Sequence, residues 1–113
     1  MHYKELGRTG VRVSALCFGT VSFGGDADDE QSARMFKACR DSGINFFDCA
    51  DSYSKGKAEI ILGKLMVNSR DELIITSKCF MPMADDINAR GGNRRHILRG
   101  VEASLERLDT DPG

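Results

Sequence analysis

Three side chains of types that can transfer or stabilise a proton follow two short apolar segments of the chain. Asp48 comes directly after the β-prone run of residues 44–47, Tyr53 lies five residues later, and Lys78 follows the run of residues 73–76. A free tyrosine phenol, with a pKa of about 10, is a poor acid at neutral pH, but a nearby ammonium group favours the phenolate. A carboxylate can hold that ammonium group charged and in place. Together the three residue types predict a general acid for the reduction of a carbonyl group.

Each of these residues also has an ordinary structural interpretation. Tyr53 can be a surface-loop aromatic, Lys78 a solvated charge, and Asp48 a cap or turn residue. A further alternative is an enzyme that uses the Lys78 amine as a nucleophile and forms a Schiff base with a carbonyl substrate. Spacing alone leaves all of these interpretations open.

The surrounding segments alternate between strand and helix patterns. Residues 3–6 and 11–14 flank a glycine-rich turn and predict a β-hairpin. Apolar runs at residues 15–20, 44–47 and 73–76 then predict three strands, each followed by a segment with helical periodicity. This order predicts right-handed βαβ units and a parallel sheet.

The predicted helices carry recognisable start and stop residues. The acidic segment of residues 26–30 is a helix start rather than a metal site, because carboxylates cap free N–H groups and oppose the helix dipole. Gly43 is placed to end this first helix in the left-handed conformation. The second helix covers residues 57–67. Asn93 is placed to cap a third helix, whose apolar face comprises Ile97, Val101, Leu105 and Leu108, with Leu98 beside it.

Two architectures contain such units, the doubly wound open sheet and the (β/α)8 barrel. Thr20, Asp48 and Lys78 all lie where a predicted strand ends, which suits both folds. The doubly wound dinucleotide fold, however, places G-x-G-x-x-G after the first strand. The glycines of residues 19–25 do not fit that spacing, so the barrel is favoured.

Composition excludes several classes of function. The 113 residues carry a net charge of −1, with 41% hydrophobic and 29% charged residues, which is typical of a globular domain. No broad basic field is available for nucleic acid or an anionic membrane, and no apolar run suggests a signal peptide or a membrane span. The four scattered cysteines are expected to be reduced thiols in a cytoplasmic protein.

Several motifs, in order along the chain, resemble those of the aldo-keto reductase family. Phe46-Phe47-Asp48-Cys49-Ala50-Asp51-Ser52-Tyr53, followed by Glu59-x-x-Leu62-Gly63, is similar to that family's signature. Residues 73–78 resemble its third strand, which ends in a catalytic lysine. Residues 6–14 with Gly19-Thr20 resemble its opening hairpin and first strand, and residues 94–108 resemble its third helix. The resemblance covers nearly the whole chain.

The resemblance implies a (β/α)8 TIM-barrel fold, with residues 1–113 forming the N-terminal hairpin and the first three βα units of a single, incomplete barrel domain. It implies that Tyr53 donates a proton to a small carbonyl substrate, supported by Lys78 and Asp48. The implied hydride donor is NADPH, with NADH as the alternative, lying close to Gly19, Thr20 and Asp48. No role for nucleic acid or membrane is implied, and neither the substrate nor the oligomeric state is specified.

The match stops before the family's fourth catalytic residue, a histidine at the end of strand four. His2 and His96 are predicted to be surface residues and not to replace it. The family's main anchor for the cofactor phosphate also belongs to later βα units. We therefore expect this chain to be a truncated portion of a reductase, and the alternative is a non-catalytic, truncated or regulatory member of the same family.

Overall fold

Five short strands and three helices lie along residues 1–110, the part of the chain that the computed structural model describes. Short 3₁₀ turns at Tyr53–Gly56 and Arg70–Glu72 precede the second helix and the fifth strand. Residues 111–113, where the sequence predicts the approach to a fourth barrel strand, lie outside the described residues. The elements in chain order are β1 (Tyr3–Glu5), β2 (Arg12–Ser14), β3 (Phe18–Gly19), α1 (Asp29–Asp41), β4 (Phe46–Asp48), α2 (Lys57–Leu65), β5 (Ile74–Thr76) and α3 (Arg94–Leu108).

The predicted N-terminal hairpin is confirmed. Strands β1 and β2 pair antiparallel, and the turn between them contains Gly7 and Gly10 at positive φ. The backbone N–H of Ser14 donates to Asn45 Oδ1 at 2.7 Å, and the Tyr3 hydroxyl donates to the Gly43 carbonyl at 2.6 Å. Because Gly43 and Asn45 directly precede β4, the hairpin lies at the amino end of the parallel sheet.

The remaining strands form a parallel sheet in the order β3-β4-β5, as the alternation of strands and helices predicts. Gly19 pairs with Asp48, and Asp48 pairs with Thr76. These three residues therefore lie side by side where their strands end. The carboxyl edge of the sheet, opposite the hairpin, collects the side chains that follow each strand.

An apolar core lies between this sheet and the helices α1 and α2. Phe47 of β4 and Leu62 of α2 are fully buried, and the ring of Phe47 stacks on that of Phe36 from α1 with 5.1 Å between centroids. Burying a side chain of this size contributes about 1.5–3 kcal/mol. The core thus fixes the strand that carries Asp48.

The predicted helix boundaries at α1 and α3 are confirmed. Asp28 and Gln31 form a reciprocal capping box at the start of α1, and Gly43 follows its end with φ +90°. At α3, the Asn93 side chain accepts a hydrogen bond from the His96 backbone N–H at 2.8 Å. These caps satisfy backbone N–H groups that the first helical turn leaves unpaired.

The predicted face of α3 is confirmed only at its C-terminal end, where Leu108 is buried and Leu105 partly buried. Ile97, Leu98 and Val101 are 39%, 49% and 48% exposed, and the buried face comprises His96, Gly100, Ser104 and Leu108. The reason is close packing of α3 on α2 and on the segment after β5. A Cβ at Gly63 of α2 would lie 2.7 Å from the Leu108 carbonyl oxygen, and one at Gly100 would lie 3.0 Å from Cys79 Cβ.

The prediction that His96 is a surface residue is also wrong, since only 5% of it is exposed. His2 is exposed, as predicted. The described residues contain no helix long and apolar enough to cross a membrane.

Candidate active site

Asp48, Tyr53 and Lys78 converge at the carboxyl edge of the sheet. Lys78 Nζ lies 2.7 Å from Asp48 Oδ2 and 2.9 Å from Oδ1. The same nitrogen is 5.1 Å from the centroid of the Tyr53 ring, within the range of a cation–π contact. Asp48 ends β4, Lys78 follows β5 by two residues, and Tyr53 opens the 3₁₀ turn before α2. The fold therefore brings together the three residues that the sequence singles out, while their chemical roles stay predictions.

The hydrogen bonds around Asp48 keep it ionised. Partial burial alone would raise the pKa of this carboxyl, but hydrogen bonds from Lys78 and Thr76 lower the pKa below 3.8. The Thr76 hydroxyl donates to Asp48 Oδ1 at 2.6 Å. At neutral pH the carboxylate is therefore a permanent negative charge beside the lysine.

Lys78 is correspondingly held as an ammonium ion. Partial burial alone would lower its pKa, but the Asp48 carboxylate and the Tyr53 phenol beside it raise the pKa above 10.5. A third hydrogen bond runs from Nζ to the Cys49 carbonyl at 2.6 Å. A protonated amine is not a nucleophile, so this environment disfavours the alternative in which Lys78 forms a Schiff base.

The segment between Asp48 and Tyr53 is held against the strand end that carries Lys78. The Cys49 N–H donates to the Thr76 carbonyl at 2.7 Å, and the Asp51 N–H donates to the Lys78 carbonyl at 3.1 Å. Pairing between the two chain segments thus continues beyond β4 and β5. It fixes the backbone that leads to Tyr53.

The turn after Tyr53 has an unusual backbone. Ser54, Lys55 and Gly56 all have positive φ, at 51°, 56° and 94°. For residues other than glycine this conformation costs about 1–2 kcal/mol each. Such strain is found at functional sites, where the surrounding structure enforces it. Here it turns the chain abruptly from Tyr53 into α2.

Gly19 ends β3 and Thr20 directly follows it, and the two residues differ in their exposure to solvent. Thr20 is fully buried, and its hydroxyl donates to the Asp48 carbonyl at 2.9 Å, so its side chain is engaged within the fold. Gly19 is exposed beside Asp48, and a Cβ there would meet nothing within 4 Å.

A buried ion pair that no sequence pattern predicts contacts the strand end that carries Lys78. Glu59 of α2 is fully buried, accepts a hydrogen bond from the Ser77 hydroxyl at 2.8 Å, and pairs with Arg107 Nε of α3 at 2.8 Å. The pair joins both helices to the strand end that carries Lys78. The one sequence clue is a glutamate among apolar residues on the inner face of an amphipathic helix.

The sequence also predicts no specific role for Cys17. It directly precedes β3 and is exposed. Burial of the thiol raises its pKa, the Asp48 charge raises it further, and the Lys78 charge opposes this. Cys17 therefore lies within electrostatic reach of the ion pair.

One family model and several known proteins match this chain. Residues 15–112 match the model of the Aldo/keto reductase family. A protein of rice, Oryza sativa subsp. japonica, named a probable voltage-gated potassium channel subunit beta, is 42% identical over 98% of this chain. A protein of the same name from Arabidopsis thaliana is 41% identical over 98% of the chain.

Solved structures agree with these sequence matches. A Pseudomonas aeruginosa protein, solved as an aldo-keto reductase, superposes on 96% of this chain with a TM-score of 0.84 and 39% identity. A thermostable aldo-keto reductase, solved with the inhibitor epalrestat, superposes on 98% of the chain with a TM-score of 0.80 and 36% identity. This chain spans 35% of the length of the two plant relatives and 43% and 40% of the two solved chains.

Proposed function

Because this chain belongs to the aldo/keto reductase family, and its hairpin and three βα units form part of that family's (β/α)8 barrel, we propose that it supplies the proton-donating half of a carbonyl reductase site. The observation that carries the proposal is the position of Lys78 Nζ, which bonds both oxygens of Asp48 and faces the Tyr53 ring at 5.1 Å. The substrate class is small aldehydes and ketones, and the product is the alcohol.

The chemistry follows from the charges at the site. As hydride adds to the carbonyl carbon, the carbonyl oxygen gains negative charge and takes the phenolic proton of Tyr53. The Lys78 ammonium stabilises the phenolate that remains, and Asp48 keeps that ammonium charged and oriented. Solvent then returns a proton to Tyr53.

A reduced nicotinamide supplies the hydride when it is bound. We propose that the nicotinamide ring lies against the open surface at Gly19, which pairs with Asp48. The hydroxyl of the buried Thr20 donates a hydrogen bond to the Asp48 carbonyl and so holds the end of β3 against β4. We propose NADPH as the cofactor and NADH as the alternative. Since the chain spans 35% of the length of its plant relatives, we propose the complete reductase site for the whole barrel and its proton-donating half for this chain.

A fluorescence titration with NADPH tests the cofactor, and Tyr53→Phe tests the proton donor. Absence of NADPH binding would rule out autonomous reductase function; if the wild type binds NADPH and turns over a small aldehyde, we expect Tyr53→Phe to keep binding and lose turnover. Tyr53→Phe should lower kcat on the order of 100-fold or more, because general acid catalysis is worth roughly that much. Tyr3→Phe is the matched control, since Tyr3 lies in the hairpin at the opposite edge. Unchanged turnover in Tyr53→Phe contradicts the proton-donor role.

The second candidate is a regulatory subunit. The observation that favours it is the identity of 42% and 41% to two plant proteins named as potassium channel subunits. In that case the same site binds NADPH to report the redox state rather than to turn over substrate. Binding of NADPH without reduction of any carbonyl, together with association with a voltage-gated potassium channel, would distinguish this function from the reductase.

A further inference from the structure

Two buried polar atoms that line one cavity have no hydrogen-bond partner among the described residues. Asp51 is 1% exposed and His96 is 5% exposed, and the unpaired atoms are Asp51 Oδ2 and His96 Nε2. Both residues line a cavity of about 160 Å³ between α3 and the loop that follows Lys78. A buried polar group without a partner costs about 1–3 kcal/mol, and a charged one costs more. A hydrogen-bond partner for each atom would remove this cost.

The His96 side chain acts electrostatically on the Asp51 carboxyl. Burial raises the pKa of Asp51, and the Glu59 carboxylate raises it further, whereas Arg107 and His96 act in the opposite direction. His96 lies in the first turn of α3, which Asn93 caps. Asp51 lies two residues before Tyr53. The cavity thus separates the Tyr53 segment from the start of α3.

The charges and the volume of the cavity determine which molecule can bind between Asp51 and His96. Arg95, Arg99 and Arg107 line the cavity together with Asp51 and Asp86, so it carries both signs of charge. No single ion suits both unpaired atoms, because the Asp51 carboxylate oxygen repels an anion and a hydrogen-bearing His96 Nε2 repels a cation. The described residues also offer no group of three metal-ligating side chains. A water molecule can accept a hydrogen bond from the N–H of His96 Nε2 and donate one to Asp51 Oδ2. The cavity exceeds the roughly 10–15 Å³ that a single water needs. Asn88 and Arg95 line the same space.

We propose that an ordered water molecule bridges Asp51 Oδ2 and His96 Nε2, and that this bridge positions Tyr53. The Asp51 N–H already ties one side of this segment to the Lys78 carbonyl at 3.1 Å. The bridge ties the Asp51 side chain to α3, so the segment is held from two sides. Asp51 and His96 are then positioning residues. Their relevance to catalysis rests on the proposed role of Tyr53, whereas the bridge itself does not.

A crystal structure of the full 113-residue chain tests the bridge directly. We expect electron density for one water within about 3.2 Å of both atoms. A direct hydrogen bond between the two side chains, or no density between them, would overturn the proposal.

The positioning of Tyr53 is tested by NMR with ¹³C-labelled tyrosine. The chain has only two tyrosines, so Tyr3, in the distant hairpin, is an internal reference. We expect Asp51→Ala, which removes the acceptor, to move the Tyr53 ¹³Cζ resonance and leave that of Tyr3 in place. Asp51→Asn keeps an oxygen acceptor and should preserve the wild-type spectrum. Equal movement in Asp51→Asn and Asp51→Ala, or no movement in either, contradicts a positioning role.

A second pair of variants covers the case in which Asp51→Ala does not fold. His96→Leu removes the donor, whereas His96→Gln keeps one, and the same contrast in the Tyr53 resonance is expected. These spectra need neither cofactor nor substrate, so they succeed or fail independently of the reductase activity. In a preparation that turns over, Asp51→Ala should lower kcat on the order of 100-fold with little change in KM, as misplacement of a reacting group does.

Discussion

Lys78 Nζ lies 2.7 Å from Asp48 Oδ2 although the two residues are 30 positions apart in the chain. The contact depends on the parallel register in which Asp48 of β4 pairs with Thr76 of β5. It therefore connects the topology of the sheet to the chemistry proposed for Tyr53.

The ion pair should contribute to stability over a wide pH range. Because the Asp48 pKa is lowered from 3.8 on folding, its contribution is present above that value and is lost as the pH falls through the folded pKa. Because the Lys78 pKa is raised from 10.5, its contribution is present below that value and is lost as the pH rises through the folded pKa. Both groups are charged at about pH 7.

Asp48→Asn should therefore lower the free energy of unfolding near pH 7 by no more than about 1 kcal/mol, since Lys78 is half exposed and solvent screens the pair. Urea unfolding at neutral pH and below pH 3.8 measures the effect. The difference from wild type should shrink in acid and in high salt. Asp85→Asn, at an exposed loop carboxylate, is the matched control. A difference that persists unchanged in acid would show that charge is not its cause.

Gly63→Ala should destabilise the contact between α2 and α3. The added Cβ would lie 2.7 Å and 2.8 Å from the carbonyl oxygen and carbon of Leu108, which are backbone atoms that cannot swing away. Overpacking of this kind costs about 1–3 kcal/mol, measured by chemical or thermal unfolding. Gly92→Ala is the control, because its Cβ would meet only Phe80, at 3.9 Å. Equal stability of the two variants would refute the close approach.

Arg107→Leu should be far more damaging than the same change at Arg34. It leaves Glu59, which is fully buried, without its charge partner, and breaking such a pair costs about 3–5 kcal/mol. Arg34 pairs with Glu30 on the exposed face of α1, where the cost is about 0–1 kcal/mol. Denaturant unfolding of both variants gives the comparison. Adding Glu59→Gln to Arg107→Leu should restore part of the loss, and no recovery would argue against an unpaired charge as its cause.

Borohydride treatment with a small aldehyde should leave Lys78 unmodified at neutral pH. The raised pKa keeps the amine protonated, so it does not attack the carbonyl. Mass spectrometry of the intact chain detects any adduct. The Lys78→Met variant separates reaction at this residue from reaction at surface lysines. An adduct present in the wild type and missing in Lys78→Met would reinstate the Schiff-base mechanism.

Features of the chain that depend on local chemistry could be predicted from the sequence. The Asp28 cap and the left-handed Gly43 act within a few residues of the helix end that they define, and both are confirmed. The meeting of Asp48 and Lys78 could be expected because parallel strands end at one edge. The Thr76 bond to Asp48 depends on a side-chain rotamer and was not foreseen.

The sequence did not predict features that depend on contacts between residues far apart in the chain. Periodicity reveals an apolar stripe on α3 but not which side meets α2, and close approach at Gly63 selects the face with His96 and Ser104 instead. The Glu59–Arg107 pair joins residues 48 positions apart. Nothing local to either residue identifies the other as its partner.

The hydrogen bonds of Asp48 form only when β4 and β5 pair in the correct register, so they report whether the sheet has assembled correctly. Successive residues of a strand face opposite sides of the sheet, so a slip of β5 by one position would turn Thr76 away from Asp48 and carry Lys78 out of reach. The misaligned sheet would retain much of its backbone pairing but lose the hydrogen bonds that lower the Asp48 pKa. The titration of one carboxyl group thus distinguishes correctly aligned molecules from misaligned ones, even when their secondary structure content is the same.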